Sequence, residues 1–390
     1  MSQLHQHQAL CLLALLALPG CGDDFAGSGD AAAADVSCGP GDPTATPHGR
    51  VIVATELYGS GGGITAIDLD TQEPEINVAL THDDVTVRWF DHRIWVLNRF
   101  GADNVMILDG NDYRLLKQFS VRPGTDQHCN PHDLLFLGSC RAYLSCFEQP
   151  GLQVIDPWAP QGEELVGTID LSSLADDDGI PEVSHMIEVD GLVYAAIDRM
   201  DRGAWVPVAP SYLAVLDPST DSLVDHIALE LWNPVGPLQP IPGTRDLVVT
   251  MGGDWTGAHS GLERIDTVNR TSAALLNQSE LGGILAAFTL RDDGCGHAIV
   301  MQVQTYDTAL ITYCLDGTGI ATCVDAGEFK MTDLKETDDG RLLVTDATAD
   351  NPGVRVFDAD TCAEETTAPI PTGFGPGFTN PLLLIPAAEQ

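Results

Sequence analysis

The sequence predicts an all-β protein, a seven-bladed β-propeller closed by its own N- and C-terminal strands, and three observations carry that reading. An apolar residue followed by aspartate punctuates the chain seven times, at Asp68, Asp109, Asp156, Asp217, Asp266, Asp316 and Asp358, with steps of 41, 47, 61, 49, 50 and 42 residues. A period in this range marks propellers and related arrays. Between the aspartates, segments such as RIWVLNR at 93–99, RAYLSCF at 141–147, GLVYAAID at 191–198 and RLLVTD at 341–346 alternate with the period of a strand. The termini then complement each other: RVIVATE at 50–56 is a second strand with no first, and GFTNPLLLIP at 377–386 is an inner strand with no blade of its own. Joined, they complete blade one and remove two sheet edges that would invite aggregation.

At the N-terminus, residues 9–18 form an apolar run of ten, too short for a membrane span of about 20 residues but suited to a signal-peptide core. The chain therefore divides into a signal segment 1–20, a tether 21–48 and a propeller domain 49–390. The run ends in Leu18-Pro19-Gly20-Cys21, which resembles the lipobox of bacterial lipoproteins. That resemblance implies that Cys21 is the first mature residue, carries a lipid and makes a membrane the first partner; Gly22 rather than Asp after it implies sorting to the outer membrane. An ordinary secretory signal is the alternative, and either one exports the chain. The tether is rich in Gly, Ala, Asp, Ser, Thr and Pro with a single aromatic, too little apolar surface to fold alone.

Each later element follows from the repeat. The strands between punctuations read as members of four-stranded blades, and the Asp-Gly, Asp-Pro and Asp-Ala-Asp sequences after them have the chemistry of tight turns. The closest approach to a helical stretch, SAALLNQSELGGILAAF at 272–288, is broken by Gly282-Gly283 and fits an outer strand followed by an inner one. The segments AYLSCFEQPGLQVIDPWAP and SYLAVLDPSTDSLVDHIAL resemble the YVTN-type repeat of secreted bacterial seven-bladed propellers. The resemblance implies the fold and leaves function open, because propellers host scaffolds and enzymes alike.

Composition narrows the partners. With 57 acidic and 18 basic residues the formal net charge is −39; such a field repels nucleic-acid backbones and favours cations or a basic partner. The scattered carboxylates include no Asp-x-Asp-x-Asp-Gly calcium loop.

Beyond Cys11 and Cys21, eight cysteines remain, and in an exported chain they read as up to four disulfides. The turn near residue 139 brings Cys146 close to Cys129, the preferred pair. A turn near 305 sets Cys295 beside Cys314, and the next sets Cys314 opposite Cys323; both pairings stay open, with Cys362 available to whichever cysteine is left. Cys38 and Cys140 have no partner beyond each other.

Ligand-type side chains gather in the loops leading into successive inner strands: His82 with Asp84, His132 with Asp133, and His185. Imidazoles and carboxylates converging at the channel mouth would suit a divalent metal or a general base. Imidazoles hydrogen-bonded to a neighbouring blade are the competing reading. Two long second-to-third-strand loops offer contact residues, Arg199 and Trp205 in one and Asp254, Trp255 and His259 in the other. No metalloprotease helix, phosphate loop or nucleophile elbow occurs. The expected function is therefore a membrane-anchored envelope lipoprotein whose propeller is a scaffold for an envelope protein or small ligand. The alternative is a periplasmic metal-dependent enzyme or cation-binding protein using the His/carboxylate set.

Overall fold

The computed structural model describes residues 49–254 and 256–385. Residues 1–48, where the signal segment and the tether with Cys21 and Cys38 are expected, and Trp255 lie outside the described residues. What is described is all-β: seven antiparallel blades, each with an inner strand at the channel and three strands stepping outward. The inner strands of blades two to seven are Val85–Phe90, Pro131–Gly138, Val183–Val189, Gln239–Pro240, Ile284–Phe288 and Leu334–Glu336. Blade one is closed as the sequence predicts: Arg50–Leu57 pairs with Leu382–Ile385 through Arg50↔Ile385 to Val53↔Leu382, and with Gly375–Pro376 through Thr55↔Pro376.

Both faces of a second strand are apolar because a neighbouring blade lies against each. In Arg93–Asn98, Ile94 and Val96 enter the core shared with blade one, while Trp95 and Leu97 enter the core shared with blade three. Seven such cores lie one at each blade interface, and the seventh, with Val51 and Val53 against Leu343 and Val356, joins the first blade to the last. Outer strands have one face in water and read as such, for example Leu165–Asp170 with mostly exposed positions.

All seven punctuating aspartates act alike. Each carboxylate accepts the backbone N–H two residues on, from Asp68 to Asp70, Asp109 to Asn111, Asp156 to Trp158, Asp217 to Ser219, Asp266 to Val268, Asp316 to Thr318 and Asp358 to Asp360. This turn lets the third strand reverse into the outer one. Residues 272–288 form an outer strand, Thr271–Asn277, and an inner one, Ile284–Phe288, with one helical turn, Gln278–Leu281, between them. Asn277 and Glu280 close a capping box on that turn, and Gly282 ends it at φ 84°.

Cys129 is bonded to Cys146. The open alternatives resolve to Cys295–Cys314 and Cys323–Cys362. The turn closes earlier than residue count suggests, with the Cys314 N–H on Thr318 O and Thr312 opposite Ala321, so Cys323 lies beyond any pairing with Cys314, at the bulge facing Leu310 and Ile311. Cys140 is disulfide-bonded as well.

Candidate functional site

The inner strands enclose a central cavity of about 1040 Å³. On one side it is lined by Arg88, Asp133, His185 and Asn380, from blades two, three, four and one, and on the other by Gln239, Lys335 and Glu336, from blades five and seven. Asp133 and His185 are each the third residue of their inner strand, and both face the channel. The far end of the cavity lies among the first-to-second-strand turns of blades six and seven, where Asp292, Asp293 and Asp338 line it.

Three histidines at comparable repeat positions take three different places. His132 does not line the cavity, although Asp133 beside it does. It stacks on Phe147 at 4.3 Å and 9°, and its Nε2 accepts from Arg99 Nη2 at 2.5 Å. A guanidinium only donates, so His132 is neutral with its Nε2 lone pair engaged. Burial, then the neighbouring Arg99, holds it well below the usual imidazole range. His185, 3% exposed, has Nε2 3.1 Å from Asn380 Nδ2 and a buried Nδ1 with no hydrogen-bond partner. Burial pulls its pKa down to about 4. His82 precedes its strand, lies 3.0 Å from Asp83 and accepts from the Asp84 N–H at 3.3 Å. The side chains at His132 and His185 thus occupy one sector, but a protein cation fills the place a metal would take on His132. Among the described residues, the one group of three His, Cys, Asp or Glu with donor atoms within 4.8 Å of one another is His297 with Cys323 and Cys362, in blades six and seven.

The organising residue is Arg99, which the sequence reading did not single out. Buried at the end of the second strand of blade two, it also donates through Nη1 to Asp84 at 3.1 Å and to Thr379 Oγ1 at 2.6 Å. With Asn380 bonded to His185, the 379–380 segment spans the channel on the loop-bearing side, from blade one to blades two, three and four. Glu56 ends the second strand of blade one beside this cluster; burial, then Asp84 and Asp83, pushes its carboxyl up to about 7. A signal for these residues was present, since second strands otherwise apolar end on Glu56, Arg99, Asp198 and Asp346.

Asp133 is a clasp. Its carboxylate accepts from Arg88 Nε at 2.6 Å, from Leu134 N–H at 2.8 Å and from Met186 N–H of blade four at 2.7 Å. Asp333 repeats the device, accepting from Leu334 N–H at 2.8 Å and from Leu382 N–H of blade one at 3.0 Å.

The two long loops differ. In blade four, Arg199 is spent on its own loop, donating to Pro210 O at 2.7 Å and lying over Tyr212 at 5.3 Å. Nearby Arg202 pairs with Glu148 and, at 2.7 Å, with Glu182, whose carboxyl burial pushes up to about 7. Trp205, 55% exposed, sits at the tip of a small hairpin, Met200–Asp201 with Val206–Pro207. In blade five, Asp254 caps a turn through the Thr256 N–H and exposed His259 stacks on Trp232 at 3.8 Å.

The large aromatics most open to solvent among the described residues lie on one side. Tyr58, Phe100, Trp205 and Tyr306 stand in second-to-third-strand loops, and Phe378 in the segment entering blade one. The Gly59 N–H bonds Asp83 at 2.5 Å, and Arg99 ties Asp84 to Thr379, so the loops carrying Tyr58, Phe100 and Phe378 belong to one hydrogen-bonded cluster.

The class is thus a seven-bladed β-propeller with a closing strand shared between its termini, its channel spanned on the loop-bearing side. No protein-family model matches the chain, and no curated protein does. Among solved structures it is similar to the dihydro-heme d1 dehydrogenase NirN in complex with DHE, at 14% identity and TM-score 0.55, over 87% of this chain and 78% of that one. It is also similar to a quinonprotein alcohol dehydrogenase-like protein from Bacteroides thetaiotaomicron, at 12% identity and TM-score 0.52, over 82% and 76%. The chain spans 64% of a hydrazine synthase chain from Kuenenia stuttgartiensis, at 12% identity and TM-score 0.44. At such identities the likeness establishes the propeller fold alone.

Proposed function

We propose that the protein is an exported envelope lipoprotein, anchored through Cys21 to the outer membrane, whose propeller serves as a scaffold for a protein partner. The repeat's resemblance to secreted YVTN-type propellers and the lipobox-like Leu18-Pro19-Gly20-Cys21 support the anchoring half. The observation that carries the binding half is the gathering of exposed Tyr58, Phe100 and Phe378 over a channel mouth that Thr379 and Asn380 bridge. A bridged mouth offers a surface rather than a hole, and aromatic side chains with charged neighbours are what protein interfaces use as anchors. Asp83 and Asp84 around them, within a chain of net charge −39, favour a partner with a basic rim. A metal-dependent function through His82, His132 and His185 has less support, because Arg99 engages the His132 lone pair and Asn380 the Nε2 of His185.

Site-specific photo-crosslinking in the native envelope tests this. A crosslinker at Tyr58 or Phe378 should give a discrete protein adduct, reduced by raised salt, and one at Leu165 on an outer strand should not. Equal labelling from both places, or none from the loop side, would count against the reading.

A further inference from the structure

On the side of the ring away from the aromatic loops, a buried histidine faces a disulfide. His297, in the second strand of blade six, is fully buried. A ring nitrogen of His297 lies within 4.8 Å of the sulfurs of Cys323, on the outer strand of blade six, and Cys362, in a turn of blade seven. His297 Nδ1 is 3.2 Å from Glu336 Oε2, and Glu336 is fixed in turn by Arg291 at 2.6 Å and Thr289 at 3.2 Å. With Nδ1–H donating to the carboxylate, Nε2 carries a lone pair, and that atom is buried with no hydrogen-bond partner. Buried polar atoms normally find a partner. The arrangement of carboxylate, imidazole and two cysteine sulfurs is that of a metal-ligating histidine oriented by a carboxylate, lacking only the free thiolates.

We propose that Cys323, Cys362 and His297 form a redox-gated site for a divalent cation of the zinc class, shut while the sulfurs are bonded to each other and opened by a dithiol reductant. The reductant gives two electrons and two protons to the Sγ–Sγ bond and becomes a disulfide; the protein is left with two thiols. Binding of the cation releases both thiol protons, and two thiolates with Nε2 hold it, leaving a fourth position to water. The two cysteines are partly exposed, so a reductant can reach them while His297 stays buried. The proposal is independent of the partner-binding side, since its residues lie in blades six and seven and use none of the aromatic loops.

The test uses the mature chain and cobalt(II) as the probe, without oxygen, before and after treatment with a phosphine reductant. Reduced protein should bind one cobalt per chain with thiolate-to-cobalt charge-transfer absorption, and oxidised protein should not. Glu336→Gln should weaken binding by about 10–100-fold with the absorption retained, and the Cys323→Ser/Cys362→Ser double variant should lose the absorption. Equal binding by the oxidised protein, absorption that persists in the double variant, or no absorption in a reduced chain that keeps its β-sheet circular dichroism would overturn the proposal. If reduction unfolds the chain, cobalt should restore the fold; failure to do so overturns it equally.

Discussion

At 5% exposure, the carboxylate of Asp133 accepts one guanidinium N–H and two backbone N–H groups from blades two, three and four. Asp133→Ala leaves Arg88 and the Met186 N–H without their acceptor. Breaking a buried pair from one side costs about 3–5 kcal/mol, so denaturant unfolding should show a loss of that order; an unchanged midpoint would mean water replaces the carboxylate. The channel-mouth glutamates make a different prediction. Glu56 and Glu182, pushed from 4.5 up to about 7, hold protons in the folded state that the unfolded chain has released. Their contribution is therefore present in full below the ordinary carboxylate range and lost as pH rises through about 7. His185, pulled from 6.5 down to about 4, has the opposite sign, its contribution present above 6.5 and lost as pH falls through about 4. The wild-type curve sums both, so the variants separate them: unfolding free energy of Glu56→Gln should fall less than that of wild type between pH 4.5 and about 7. The histidines stand out in the repeat, but their use does not. Both His132 and His185 lie where a bulge shifts the register, between Pro131 and Leu134 and between Val183 and Met186, and the group each imidazole meets, Arg99 or Asn380, comes from another blade, which repeat spacing does not resolve.

At the scale of elements, the Asp turn was fully legible because it is local: its donor lies two residues from its acceptor in every blade. A companion feature was less visible. Gly151 stands five residues before Asp156 and Gly353 five before Asp358, each opening a third strand. A Cβ at Gly151 would lie 1.9 Å from Ile169 O and one at Gly353 2.2 Å from Ile370 O, both on the adjoining outer strand. The regularity is written in the sequence, but its reason is a backbone approach that only pairing creates. Gly151→Ala must push the outer strand aside, at about 1–3 kcal/mol for overpacking of this kind. A thermal melt of that variant should shift down, whereas Gly162→Ala, where a Cβ meets nothing within 4 Å, should cost less and only through its φ of 88°. Turn position marks the limit of such reading: residue count holds for Cys295↔Cys314 and fails for Cys314 and Cys323, because the chain reverses with Thr312 opposite Ala321 and leaves Cys323 at the bulge facing Leu310 and Ile311.

For the whole molecule, the C-terminal strand does two separable things. Leu382 and Ile385, 2% and 3% exposed, fill the cores on either side of blade one, and their strand covers the edge of Arg50–Leu57. Thr379 and Asn380, in the turn before it, bridge the channel to Arg99 and His185. A chain ending at residue 377 loses both: it exposes an apolar edge and opens two of the seven cores, so it should aggregate and lose its cooperative unfolding transition. Thr379→Ala/Asn380→Ala keeps the strand and removes only the bridge. That variant should unfold cooperatively, lowered by about 1–3 kcal/mol because the buried Arg99 and His185 groups lose partners. Amide hydrogen exchange should then rise at Met186 and Leu134 along the channel wall and stay unchanged in the outer strands. If the truncated chain folded as well as the double variant, ring closure would rest on the other six interfaces, and the strand would serve only to carry the bridge.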